Sequence, residues 1–153
     1  EEALPLLQRY LDLQIVLWGG EAFPEVAAGQ AELADASAQA GRAAEAEVLA
    51  SKAIETLRAF PDHKNLPCAL FARARARWQQ QNDEAAGQDF AEALSLVRRN
   101  EELKPAPRAR LLENEQRALQ AQGRHAEAAL LIRPIEGLWA RTARSLAAPT
   151  ARS

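Results

Sequence analysis

Three side-chain types in this chain could carry chemistry, and their spacing decides which. His63, His125 and Cys68 are the only imidazoles and the only thiol among 153 residues. A metal centre needs three or four such ligands, or carboxylates, at one point. Neither histidine has an acidic cluster beside it, and Cys68 has no adjacent base to take its proton. No glycine-rich phosphate loop, nucleophile elbow or helix-borne histidine pair occurs. The expectation is a protein without catalytic residues, bound metal or cofactor. Glu1-Glu2 and Glu101-Glu102 read as solvated ends. Arginine remains: Arg73, Arg75 and Arg77 form a local basic run, and Arg141, Arg144 and Arg152 leave the C-terminal end positive. Guanidinium groups grip carboxylates or phosphates through paired hydrogen bonds. With a pI near 5.8 and no recognition motif, the run reads as a solvated helix face, and nucleic acid is not an expected partner.

The elements that must position these groups are helices. Alanine is abundant, glycine is low at 7, and the strand formers rarely alternate. Leu6, Leu7, Tyr10, Leu11, Leu13 and Leu17 recur at three- and four-residue intervals and predict a helix over Ala3–Leu17, ended by Trp18-Gly19-Gly20. Further helices are expected over Pro24–Ala40, Ala44–Phe60, Pro67–Gln80, Glu84–Arg99, Pro107–Gln122 and Ala126–Ser145, the last kinked at Pro134. Pro61 to Asn65 reads as a turn-rich link and 146–153 as a flexible tail. Seven helices leave no room for a sheet. No run of about 18 apolar residues offers a membrane span, and a single cysteine without an apolar leader fits the cytoplasm. The net charge of -2 divides unevenly. Residues 1–60 hold ten acids and four bases, whereas residues 61–153 hold eleven acids and fifteen bases.

One pattern recurs along the chain. Gly41 is followed five residues on by Ala46 and twelve on by Ala53; Gln81 by Ala86 and Ala93; Gly123 by Ala128 and Ile135. The anchors lie 40 and then 42 residues apart, a period belonging to stacked helix pairs that bury their apolar faces only against one another. Small side chains at Ala34, Ala46, Ala74, Ala86 and Ala128 let two helices approach closely, and Ala38 is placed toward a groove or solvent. Compared with the tetratricopeptide repeats that these spacings resemble, Gln81 stands where glycine is usual, Arg73 and Glu115 where an apolar residue is common, and Gln116 where a small one is expected. These departures suit either degenerate repeats with snorkelling side chains or polar groups offered to a ligand.

Leu33 through Ile54, Leu70 through Leu94 and Leu112 through Ile135 resemble tetratricopeptide (TPR) repeats. Glu2 through Leu17 with Pro24-Glu25-Val26-Ala27 is similar to the second helix and linker of the longer, kinesin-light-chain-like variety. The resemblance covers about 140 residues and implies an all-α, TPR-like solenoid over 1–145: a half repeat at 1–20, then helix pairs at 24–60, 66–99 and 106–145. In such arrays the first helix of each pair lines a concave groove. Carried over position by position, that groove holds Asp35 and Gln39, then Phe71, Arg75, Trp78 and Gln79, then Arg110, Glu113 and Arg117. Phe71 and Trp78, seven residues apart, suit the groove or the core between helices equally.

The resemblance implies a non-enzymatic scaffold for a protein or peptide partner. An acidic ligand with an apolar anchor would suit Arg75, Arg110 and Arg117, with Asp35 giving it a direction. The lack of methionine and the unpaired first helix suggest a piece of a longer bacterial protein. In this family such arrays often serve the regulatory or substrate-recruiting part of a kinase or transcription regulator, a signalling role. A second expectation is structural self-association through the open ends of the array. The first helix is expected to carry apolar residues on more than one side, Leu4, Leu7, Leu11 and Ile15 among them, and to leave one of those sides uncovered.

Overall fold

The computed structural model describes residues 3–99 and 104–147, so the Glu1-Glu2 and Glu101-Glu102 pairs, Arg152 and nearly all of the expected tail lie outside the described residues. All regular structure among them is α-helical. The fold is all-α and helical-repeat-like, in two compact units, 1–99 and 100–153.

The first unit contains α1 (Ala3–Trp18), α2 (Pro24–Gln39), α3 (Ala43–Leu57), α4 (Asn65–Gln79) and α5 (Asp83–Arg99). Each packs on its neighbour in sequence, and α2 also packs on α4, so hairpin α2/α3 stacks on hairpin α4/α5. The stacking rests on alanine. Ala34, Ala50 and Ala72 form one buried cluster, and Ala38, Ala46 and Ala76 a second. Three helices can close to the short end of the usual 8–10 Å separation only where side chains stop at Cβ. Ala38 is therefore core, not groove or solvent as its spacing predicts, because α4 lies over the face that an isolated pair would leave open.

The second unit contains α6 (Pro105–Ala121), α7 (His125–Ala129) and α8 (Ile132–Ala147), with α6 packed on both others. The expected last helix is thus two helices, broken ahead of Pro134. The proline ring excludes the N–H that would bond the carbonyl four residues back, at Leu130, and crowds that carbonyl. The chain instead closes a single turn with Leu131 N–H donating to Ala128 C=O, and Pro134 falls in the first turn of a new helix, where no donor is needed. Pro67 and Pro107 likewise sit in first turns, so α4 begins at Asn65 and α6 at Pro105, each two residues ahead of the proline expected to open it.

The three anchors share one geometry. Gly41, Gln81 and Gly123 all have positive φ, at 80°, 63° and 73°. After each, the following N–H closes back on a helix carbonyl: Arg42 on Ser37 at 2.8 Å, Asn82 on Arg77 at 2.9 Å, Arg124 on Leu119 at 2.9 Å. The anchor N–H groups bond Ala38, Trp78 and Gln120. This is the paired-bond helix ending that requires a left-handed residue, and Gln81 is the one non-glycine among the described residues to adopt it. Ala46, Ala86 and Ala128 are each buried five residues later, and Ala53, Ala93 and Ile135 twelve later.

Helix α1 has one apolar side covered and another exposed. Leu4, Leu11 and, at the margin, Leu7 and Ile15 pack with Val26 and Leu33 against α2. The exposed large apolar residues of α1 are Leu6, Tyr10, Leu13, Val16, Leu17 and Trp18.

Candidate functional site

Helix α4 turns its three arginines in two directions. Residues two apart on a helix point about 200° apart while residues four apart share a face, so Arg73 and Arg77 go one way and Arg75 the other. Arg73 grips buried Asp89 of α5 with two bonds, Nε to Oδ2 at 2.9 Å and Nη2 to Oδ1 at 2.8 Å. Arg77 donates Nη1 to the same carboxylate at 2.9 Å and Nε to Glu47 of α3 at 2.9 Å. Gln80 completes Glu47 at 2.7 Å. The Arg77 bond holds the Glu47 carboxyl below its ordinary range, against a smaller opposing effect of burial. Arg73 and Arg77 therefore belong to a half-buried ion network joining α3, α4 and α5, and not to the solvated face that the composition of the run predicts.

On the opposite side Arg75 is buried and paired with Asp35 of α2. Asp35 also accepts from Gln39 at 2.6 Å, and Gln79 donates to the Ala38 carbonyl at 2.7 Å. Four of the six predicted groove residues of this unit thus meet along α2 and α4. Their polar groups are largely spent on each other: Arg75 ties two first helices together, with its charge engaged by Asp35. Phe71 and Trp78 are core. Both pack on Phe90 of α5, with ring centroids 5.8 and 5.7 Å away in tilted pairs that suit the aromatic quadrupole.

In the second unit Arg110 and Arg117 are exposed, seven residues apart on one face of α6. Glu113 lies between them and accepts the indole N–H of Trp139 at 2.5 Å, which ties it to α8. Gln116 reaches the Ala128 carbonyl at 3.4 Å, filling the space that a small residue would leave, and Glu115 is buried. The sequence reading missed Asp89, Phe90 and Trp139. Asp89 carries a signal: it stands eight residues after Gln81, where Leu49 and Leu131 stand after the other anchors, and Arg73 stands eight before. A charge appearing at both places in one repeat marks a partnered exchange.

No family model, curated protein or solved structure matches this chain. Among the described residues no cluster of three or more histidine, cysteine or acidic side chains could hold a metal ion. No described helix is long and apolar enough to cross a membrane.

Proposed function

We propose that the chain is a non-enzymatic, TPR-like interaction module of a larger bacterial cytoplasmic protein, and that it takes an acidic peptide segment on α6. One observation carries the reading: Arg110 and Arg117 stand exposed on one helix face, with no ion-pair partner among the described residues, while Glu113 between them is turned aside by Trp139. Seven helical residues span about 10 Å, close to the roughly 9 Å between side chains three residues apart on a polyproline II segment, which share one face. A polyproline II segment with carboxylates at i and i+3 therefore meets both guanidiniums. Arg75, with its charge held by Asp35, contributes shape rather than affinity. Recruitment of a substrate or regulator to a kinase or transcription regulator is the cellular role that fits such a module.

The test is fluorescence anisotropy with a labelled peptide carrying aspartates three residues apart. The Arg110→Ala, Arg117→Ala double variant should weaken binding about tenfold at low salt, since exposed pairs contribute roughly 0.2–1 kcal/mol each. Wild-type affinity in that variant would remove α6 as the binding face.

A further inference from the structure

Helix α1 carries two apolar stripes, and only one is used by the fold. Leu4, Leu7, Leu11 and Ile15 face α2. The second stripe is Leu6, Tyr10, Leu13 and Leu17, which are 66%, 52%, 68% and 79% exposed, with Val16 beside it. Such residues occur singly on most surfaces, but four in a row at helical spacing do not.

The intervals within the stripe are 4, 3 and 4 residues, so it reads the same in both directions. That symmetry selects the occupant. We infer that the stripe is a seam for a second copy of this chain, with the two α1 helices antiparallel about a two-fold axis between Tyr10 and Leu13. Leu6 of one copy then lies over Leu17 of the other, and Tyr10 over Leu13, giving four apolar layers. A two-fold contact demands a self-complementary surface, and a palindromic stripe provides one. The spacing is also that of a coiled-coil seam, in which antiparallel helices set these two position types against each other.

Charge permits the arrangement. No acidic or basic residue lies within the seam. Arg9 borders one edge and Gln14 the other, and the two-fold sets each Arg9 near Val16 of the other copy, where its methylenes cover apolar surface while its head stays in water. The area is sufficient for a reversible dimer. Five side chains exposed to this degree make a patch of about 600 Å², the upper end for a lone protein. Two such patches bury roughly 1,200 Å² in total, the lower bound for a specific interface.

Sedimentation velocity over a concentration series tests this, with the full chain and with a Leu6→Glu, Leu13→Glu variant. Both substitutions fall on exposed positions, and circular dichroism checks that the helices remain. The wild type should dimerise reversibly. The variant should raise the dimer Kd at least about 30-fold, the factor for losing a hot-spot contact. Orientation is read by oxidative cross-linking in a Cys68→Ser background: Leu6→Cys mixed with Leu17→Cys should cross-link, and Leu6→Cys alone should not, because the two Leu6 positions lie about 16 Å apart along the seam. A wild type that stays monomeric to about 1 mM, a dimer untouched by the two glutamates, or a Leu6→Cys self-cross-link would each overturn the antiparallel seam. The peptide titration on α6 is independent of all three results.

Discussion

Hairpins α2/α3 and α4/α5 share their turn, their buried alanines and their length, yet fill one matching pair of positions in opposite ways. Eight residues before and after the first turn stand Leu33, buried in an apolar cluster, and Leu49, packed against it. At the same places around the second turn stand Arg73 and Asp89, joined by two bonds of 2.8 and 2.9 Å. One backbone geometry accepts either solution. A buried pair of charges is tolerated only where both partners are present and their remaining atoms are bonded, and Arg77 supplies the further bond to Asp89. The repeat therefore specifies positions and their burial, while the chemistry at each position is settled by what stands opposite.

The largest effect expected from this contrast follows from removing one charge. Asp89→Leu should destabilise by about 3–5 kcal/mol in urea, because Arg73 loses its partner in a nearly buried setting. The corresponding Leu49→Ala change in the apolar hairpin should cost less, since Leu49 is only partly buried.

Next come the alanines common to both hairpins. Ala38→Trp and Ala86→Trp should each cost about 1–3 kcal/mol or more, with urea midpoints shifted alike, since both sites are fully buried at close helix crossings. A harmless Ala38→Trp would restore the groove-facing position that its spacing predicts.

A smaller effect separates the turns. Gln81 holds the left-handed conformation that Gly41 adopts freely, so Gln81→Gly should stabilise by about 1 kcal/mol and Gly41→Ala should destabilise by a similar amount, as thermal melts would read.

The smallest concerns pH. Glu47 has its folded-state carboxyl pKa lowered, principally by the Arg77 bond. Its contribution is present at neutral pH and fades as pH falls below about the ordinary value of 4.5, through the lower folded one. The midpoint difference between wild type and Glu47→Gln should therefore shrink between pH 7 and pH 3. A constant difference would mean that the carboxylate charge does not matter.

Much of the fold was legible in the sequence, because the anchor spacing reports backbone geometry directly. A residue that must be left-handed and an alanine that must be small leave the same mark in every repeat, even where Gln81 replaces glycine. The break before Pro134 was half legible: proline announces a disturbance but not on which side of itself. The candidate site was harder to read. The role of Arg75 depends on Asp35, 40 residues away, and the burial of Phe71 and Trp78 depends on Phe90. Helical periodicity along α4 marks faces but does not say which neighbour covers each. On α1 it marked two stripes without telling which one α2 would take.

A double-mutant cycle on Arg73 and Asp89 tests the exchange between the two hairpins most directly. Arg73→Leu, Asp89→Leu and the pair together are unfolded in urea under identical conditions. If these positions match Leu33 and Leu49, the double variant should be more stable than Asp89→Leu alone, with a coupling of about 2 kcal/mol or more. Strictly additive losses would contradict the shared register and leave the Arg73–Asp89 pair as an isolated feature of the second hairpin.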